Sequence, residues 1–383
     1  MSAVIVEAVR TPVGRKKGCL SGIHPADLSA TVLAGLVERS GIDPEIVDDV
    51  IWGCVQQVSE QAIDIARTAV LTAGWPESIP GVTVDRQCGS SQQALNFAVA
   101  SVEAGHYDVV VAGGVESMSR VPMGSSTSVG ESPFTQRYRD RYDGVVPNQG
   151  IGAEMIAQKW GLSRTDVDSY AARSHERAAA AQDAGWLDEQ IIPVATEDGV
   201  VSKDEGIRRG TSVETLAKLK PVFAEDGVIH AGNASQVSDG SAALLVMSEE
   251  AARRHSLTPL ARVHTAVVTG ADPVIMLTGP IPATEKALAK ARLDLSDIGV
   301  FEVNEAFATV PLAWQRETGV DDDILNPNGG AIAFGHPLGG SGARILTDLI
   351  THMRRNRIRY GLQTMCEGGG QANATILELL LDA

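Results

Sequence analysis

Apolar and polar positions along the first part of the chain follow two periods. The short apolar runs at 3–9 and 81–85 are typical of strands, whereas 25–39 repeats apolar residues at helical spacing between an early Pro and Gly41. Strands that alternate with helices in this way predict a parallel α/β layer. The same reasoning predicts strands over 48–57 and 107–119 and helices over 62–74 and 92–105.

The pattern breaks near Ser119. From there to about residue 236 the chain is polar and rich in turn residues, with helical spacing over 150–161 and 164–185. This composition indicates an inserted loop domain. We interpret the apolar run 239–255 as a helix that belongs to the core, after the inserted segment has ended.

The second part of the chain repeats the order of the first. Cys88 precedes a predicted helix, a buried strand and a Gly pair, and His336 precedes a helix, the strand 360–366 and the Gly triplet 368–370. The repeat predicts duplicated α/β halves that face each other across one cleft. The predicted domains are an N-terminal half over 1–118 completed by 237–257, the loop domain over 119–236, and a C-terminal half over 258–383.

Composition narrows the class of protein. The net charge of -16 on 383 residues argues against a surface for nucleic acid or for an anionic membrane. The four Cys form no CxxC pair, so we expect reduced thiols, and no metal-ligand spacing such as HExxH occurs. Because no metal-ligand spacing occurs, we expect no bound metal. No signal peptide and no membrane-spanning run is found, so we expect a soluble, cytoplasmic protein.

Three residues in Gly-bearing turns indicate a thiol–imidazole active site. Cys88 lies between a strand and a helix, where the helix dipole is expected to lower the thiol pKa. His336 also precedes a helix, whose N-terminus favours developing negative charge. Cys366 ends a predicted strand. Taken singly, each has a structural alternative: a buried core Cys, a His that caps a helix, and a packing residue at a strand end.

Two further segments carry polar groups at junctions. Asn304 lies where the strand of 301–308 gives way to a helix, and its amide suits a water or an oxyanion, although an N-cap Asn is the alternative. The polar turn in 231–244 suits an amide-bearing ligand or marks a domain junction.

Together these segments resemble the thiolase family of acetyl-CoA acyltransferases and 3-ketoacyl-CoA thiolases. The resemblance runs in order from about residue 2 to 379 and implies the layered αβαβα fold of that family. GHPLGGSG and CEGGG with an upstream Cys are specific in combination. The matching segments are RTPVG, CGSSQQA, AGGVESMS, AGNASQVSDGSAAL, NEAFA, GHPLGGSGAR and CEGGGQANATILE.

The resemblance implies roles for the catalytic residues. Cys88 resembles the acylated nucleophile, His336 the base that activates it, and Cys366 the acid/base that exchanges a proton with the acetyl α-carbon or the CoA thiol. Asn304 is then expected to hold a water that forms one oxyanion hole with His336. The resemblance implies that the backbone N–H groups of Cys88 and Gly368 form the second.

The resemblance also implies substrate contacts. Ser235 matches the residue at the pantetheine arm, and Arg208 and Thr215 match positions near the adenine end of CoA. Pocket positions of the family correspond to Met276, Ala306 and Phe307. Gln149 stands where short-chain biosynthetic members tend to carry Met beside the acyl group.

The implied reaction is reversible cleavage of 3-ketoacyl-CoA by CoA through an acyl-Cys88 intermediate, with ping-pong kinetics. CoA is a substrate, no other cofactor is expected, and the resemblance implies a homo-oligomer, either dimer or tetramer. The run after Cys88 departs from the commonest family pattern, and Ala372 replaces a frequent Gly. Together, the segments CGSSQQA, NQG-x-x-AEMIA and MCEGGGQANAT resemble a degradative subgroup that includes actinobacterial thiolases for bulky or steroid side-chain CoA esters.

Four alternatives remain open. One is a biosynthetic thiolase that forms acetoacetyl-CoA; another is a ketoacyl synthase-like condensing enzyme, a class that lacks the second Cys. A catalytically inactive acyl-CoA-binding protein is the third. The fourth, a cysteine hydrolase built on Cys88, His336 and Asn304, leaves Cys366 and the duplicated halves without a purpose.

Overall fold

The computed structural model describes residues 2–380. Its strands are β1 (Ala3–Arg10), β2 (Gly14–Arg15), β3 (Asp49–Gly53), β4 (Gly81–Val84), β5 (Val109–Ser117), β6 (Val194–Thr196), β7 (Gly199–Val201), β8 (Ser238–Ser248), β9 (Ala261–Gly270), β10 (Val300–Val303), β11 (Tyr360–Glu367) and β12 (Gln371–Leu379). Its α-helices are α1 (Pro25–Ser40), α2 (Ile65–Thr72), α3 (Ser90–Glu103), α4 (Gln136–Arg141), α5 (Gln149–Trp160), α6 (Arg164–Asp183), α7 (Val213–Leu216), α8 (Glu249–Arg254), α9 (Pro280–Ala291), α10 (Thr309–Thr318), α11 (Ala331–Phe334) and α12 (Leu338–Asn356).

Two strand sets of the same design form the sheet. Its order is β10-β11-β12-β9-β1-β8-β5-β3-β4, with β2 on β8. In one set β3 is parallel to β4 and β5, and then β8 and β1 are antiparallel; in the other β10 is parallel to β11, and then β12 and β9 are antiparallel. The sets join where Val4 and Ile5 pair with β9. The predicted duplicated α/β fold class is confirmed, but each half is a mixed sheet and not a parallel one.

Helices α3 and α12 lie between the two strand sets. Helix α12 packs on β5 and β8 of the first set and on β11 of the second, and it also packs on α3. Apolar side chains from both sets and both helices form one core cluster there. Helices α1 and α2 cover the outer face of the first half, and α9 and α10 cover that of the second. This gives the layered αβαβα arrangement.

The two central helices cross at their first turns. The Ser91 hydroxyl accepts a hydrogen bond from the Ala343 N–H at 2.9 Å. At Gly342 an added Cβ would lie 2.4 Å from the backbone nitrogen of Gln92, so the crossing requires Gly. The close approach brings the turn that holds Cys88 next to the turn that holds His336.

The helical interpretation of 239–255 is wrong for most of its length. Residues Ser238–Ser248 form β8, and the helix that follows is confined to Glu249–Arg254. Every residue of β8 is buried, because α1 packs on the strand from one side and α12 from the other. A strand buried on both faces shows no polar alternation, so its continuous apolar run looks helical in the sequence.

Between residues 119 and 236 the chain adds helices and a small hairpin to this frame. Helices α5 and α6 lie where helical spacing predicted them, and β6 and β7 pair with each other. The domain boundaries given above stay a prediction. Across residues 2–380, every helix is too short or too polar to cross a bilayer.

Candidate active site

Cys88 lies at the end of the link from β4 to α3. Gln87, just before it, has a φ of +49°, a left-handed conformation that is strained for a residue with a side chain. The Asp85 carboxylate holds this turn by accepting a hydrogen bond from the Gln87 N–H at 2.7 Å. The turn directs Cys88 into a buried apolar cluster, which also includes Met118 and Leu338.

The hydroxyl of Ser341 lies next to the imidazole of His336. The imidazole Nδ1 lies 2.6 Å from the hydroxyl oxygen of Ser341, and that hydroxyl donates its own proton to the carbonyl oxygen of Pro337 at 2.7 Å. We assign the Ser341 proton to the Pro337 carbonyl, and with this assignment the hydroxyl accepts from the imidazole and Nδ1 carries the hydrogen. The buried Nε2 meets no hydrogen-bond partner among residues 2–380, so its lone pair is free to accept a proton.

Cys366 and Asn304 meet at the ends of two parallel strands. Asn304 follows β10, its N–H donates to the Thr364 carbonyl on β11 at 3.1 Å, and Cys366 lies two residues farther along that strand. The Asn304 amide lies near enough to the Cys366 thiol to favour the thiolate. Within the described part of the chain, however, neither polar atom of this amide completes a hydrogen bond.

Burial sets the protonation states in the site. Burial, followed by the nearby Cys366 and Glu367, raises the pKa of Cys88 well above its usual range, although the N–H groups of Cys88 and Gly368 oppose this rise. It also raises the pKa of Cys366 to about 12. For His336 burial, followed by the charge of Arg344, lowers the pKa to about 3. At neutral pH the thiols and the imidazole are therefore uncharged.

These values correct one expectation from the sequence. The position of Cys88 before α3 was expected to lower the thiol pKa through the helix dipole. The structure gives the opposite direction, because the thiol is 3% exposed and desolvation outweighs the dipole. A thiolate at Cys88 therefore has to form together with proton transfer to a base.

A cavity of about 100 Å³ adjoins His336. The loop at Ser235 reaches it by pairing with the segment that follows β10, since the Ser235 N–H donates to the Ala306 carbonyl at 2.9 Å. Gln149 enters from the first turn of α5. The lining residues are Met118, Met123, Gln149, Ala234, Ser235, Gln236, Val237, Ala306, Phe307, His336 and Leu338.

Three other predicted contacts lie outside this lining. Met276 is buried in the cluster that contains Cys366, Ala306 and Phe307. The exposed Arg208 lines a separate depression of about 540 Å³, and its N–H donates to Nδ1 of His175 at 3.1 Å. Thr215 is exposed on α7, where its hydroxyl caps the helix by accepting from the Ser212 N–H at 2.9 Å.

Three residues that shape the site were not predicted from the sequence: Ser341, Glu116 and Glu367. Ser341 lies inside the GHPLGGSG segment, five residues after His336, and a hydroxyl in the first turn of that helix was an available signal. Glu367 directly follows Cys366. Glu116 gave no such signal, because its four donors come from distant parts of the chain.

Family comparisons cover almost the whole chain. The family described as thiolase, N-terminal domain, matches residues 3–250, and that described as thiolase, C-terminal domain, matches residues 257–379. The chain belongs to the thiolase family. It is therefore an acyltransferase, and the resemblance found in the sequence is confirmed.

Individual thiolases are similar along their full length. The steroid 3-ketoacyl-CoA thiolase FadA6 of Mycobacterium tuberculosis is 51% identical over 99% of this chain and 94% of its own. The 3-ketoacyl-CoA thiolase FadA of Escherichia coli strain K12 is 47% identical over 98% of each chain. The crystal structure of the Bacillus anthracis acetyl-CoA acetyltransferase superposes with a TM-score of 0.91 at 39% identity and covers 99% of each chain.

Proposed function

We propose that this thiolase cleaves 3-ketoacyl-CoA with CoA in a degradative pathway and passes the shortened acyl group through Cys88. The observation that carries the proposal is the free Nε2 lone pair of His336, together with a buried Cys pair that is protonated at neutral pH. Thiolysis needs one thiol as nucleophile and a second group to exchange protons. The degradative names of similar chains support the direction.

In the first half-reaction the Cys88 sulfur attacks the 3-keto carbon while Nε2 of His336 takes the thiol proton. The N–H groups of Cys88 and Gly368, which lie near enough to the Cys88 sulfur to favour its thiolate, are proposed to stabilise the oxyanion of the adduct. The C2–C3 bond then breaks, and its electron pair forms the acetyl-CoA enolate. The Cys366 thiol protonates C2, which leaves an acyl-Cys88 thioester and a Cys366 thiolate.

In the second half-reaction the Cys366 thiolate takes the proton of an incoming CoA thiol. The CoA sulfur attacks the acyl carbon, Cys88 leaves as thiolate, and His336 returns its proton to Cys88. All groups regain their starting charge. Asn304 supports the enolate step, since its amide beside Cys366 can hold a water aimed at the enolate oxygen.

This chemistry defines the small-molecule partners. Every step uses thiols, an imidazole and CoA, so the reaction needs CoA and acyl-CoA as substrates and no resident cofactor. Ser235 lies beside the cavity and is proposed to contact the pantetheine arm. Arg208 and Thr215 are proposed to contact the adenine end of CoA.

We also propose that the protein forms a homo-oligomer in the cytoplasm. Ile63 near the sheet edge is 93% exposed, and Val82 on the edge strand β4 is 44% exposed, which supports burial against a second copy in a homodimer or homotetramer. The chemistry of reduced thiols supports a cytoplasmic location.

The acyl group is proposed to be bulky and apolar, of the fatty-acid or steroid side-chain kind. Met118, Met123, Phe307 and Leu338 give the cavity an apolar lining, and Met123 is 60% exposed. The 51% identity to a steroid thiolase supports this class. A second candidate is biosynthetic formation of acetoacetyl-CoA, favoured by the small cavity and by the acetyl-CoA acetyltransferase of similar structure.

Intact-mass analysis with peptide mapping tests the proposal. The protein is incubated with acetyl-CoA or with a bulky 3-ketoacyl-CoA. We expect an acyl adduct on Cys88 that CoA removes, that is absent in Cys88→Ala, and that forms faster from the bulky donor. Faster labelling by acetyl-CoA would favour the biosynthetic candidate. Absence of any adduct while CoA esters still bind would contradict the mechanism.

A further inference from the structure

Glu367 is a buried carboxyl group that the mechanism above leaves unused. It is the last residue of β11, directly after Cys366, and its side chain is fully buried. Neither of its carboxyl oxygens has a hydrogen-bond partner among residues 2–380. The N–H of Asn373 lies near enough to favour the carboxylate but does not complete a bond. A buried carboxylate without donors is costly, so the neutral acid is the stable form.

The carboxyl group lies against the turn that holds the nucleophile. At Gly89, the residue after Cys88, an added Cβ would lie 1.9 Å from Oε1 of Glu367 and 2.9 Å from Nδ2 of Asn373. Glu367 therefore fills the space at the first turn of α3, within electrostatic reach of both Cys88 and Cys366.

We propose, on the basis of the proposed function, that Glu367 is a positioning residue that sets the alkaline limit of the reaction. As a neutral acid it permits thiolate formation at Cys88 and Cys366. Once it loses its proton to solvent, its negative charge lies beside both sulfur atoms and opposes both thiolates.

The charged surroundings define the pH at which this change occurs. The titratable and charged groups around Glu367 are Arg86 and Asp85 in the loop before α3, together with the thiols of Cys88 and Cys366. Arg86 favours the carboxylate and Asp85 opposes it, but burial is the largest effect and raises the pKa of Glu367 to about 8. The acid is neutral at pH 7 and ionises just above it.

Alkylation of Cys88 by iodoacetamide, followed by peptide mass mapping, tests the proposal without turnover. At pH 9 the Glu367→Gln variant should alkylate at Cys88 about tenfold faster than the unmodified protein, because the opposing charge is gone. The fall of kcat/KM above pH 8 should move to higher pH in this variant. Asp49→Asn, the same change at a buried carboxyl group at the start of β3, is the matched control and should leave the alkylation profile in place.

Equal alkylation profiles for the unmodified protein and Glu367→Gln would overturn the proposal. Because alkylation needs no acyl-CoA, this failure is distinct from a failure of the thiolase mechanism. A second measurement is difference infrared spectroscopy of the full chain: the unmodified protein should lose a protonated-carboxyl band as the pH passes about 8, and Glu367→Gln should not show this loss. If no carboxyl group titrates between about pH 6 and 9, the proposal also fails.

The pH dependence of folding stability independently tests the direction in which the pKa of Glu367 is shifted. A carboxyl group whose pKa is raised to about 8 in the folded state binds a proton that the unfolded chain has lost above pH 4. Its contribution to the free energy of unfolding is full below about pH 4 and is lost as the pH rises through about 8. The Glu367→Gln variant should lack this decline, so its unfolding midpoint should fall less between pH 5 and about 9.

Discussion

The two halves of this thiolase place matching carboxyl groups in opposite environments. Glu116 lies near the end of β5 and Glu367 at the end of β11, the corresponding strand of the second half. Glu116 accepts four hydrogen bonds from N–H donors, among them one from the Gly339 N–H at the start of α12, and a weaker one from the Cys54 thiol. Glu367 lies against Gly89 at the start of α3 and accepts none from the described residues. Glu116 therefore stabilises the fold, whereas Glu367 can change its protonation state near the two thiols.

The residues before the central helices differ in the same way. Cys88 precedes α3 and His336 precedes α12, so equivalent turns supply a nucleophile and its base. Burial acts on them with opposite sign, since it raises the pKa of the thiol and lowers that of the imidazole. The duplicated halves thus place two equivalent turns around one cleft. Because one turn carries Cys and the other His, each has a separate chemical role.

The largest expected effect comes from removal of the base. His336→Ala should lower kcat by about 10³-fold, because the Cys88 thiol then has no acceptor for its proton. Ser341→Ala is the matched control: it keeps the imidazole but frees its tautomer, and should cost about tenfold. Steady-state kinetics measure both. A His336→Ala variant within tenfold of the unmodified rate would contradict the assignment of the base.

The next largest effect is a difference in folding stability between variants of the two carboxyl groups, Glu116 and Glu367. Glu116→Gln should lower the free energy of unfolding by about 3 kcal/mol, because an amide cannot accept all four donors and places its own N–H groups against them. Glu367→Gln should cost much less at pH 8, since no donor is left unpaired. Chemical denaturation at pH 8 compares them, and equal losses would remove the distinction between the halves.

The smallest effect tests the contact between Gly89 and Glu367. Gly89→Ala should cost about 2 kcal/mol of stability, because the new Cβ meets Oε1 of Glu367. Gly22→Ala is the control, since nothing lies within 4 Å of a Cβ at Gly22. Adding Glu367→Ala to Gly89→Ala should recover most of the loss in a double-mutant cycle. Simple additivity of the two changes would argue against the contact.

Local sequence determined the central elements and the family. The helical spacing that predicted α3, α12, α5 and α6 reflects contacts within a few residues, and so does the combination of Cys88, GHPLGGSG and CEGGG that identified a thiolase. Strand β8 was missed because burial on both faces erases the polar alternation that marks a strand.

Only the tertiary structure decided how these residues behave. The pKa of Cys88 rises because distant segments exclude water from it, which the neighbouring helix cannot counteract. The contrast between Glu116 and Glu367 depends on donors that approach from residues far along the chain, and the free lone pair of His336 depends on how Ser341 uses its proton. Local sequence determines which groups are present. Desolvation and long-range hydrogen bonding, which arise once the chain is packed, determine their charge and reactivity.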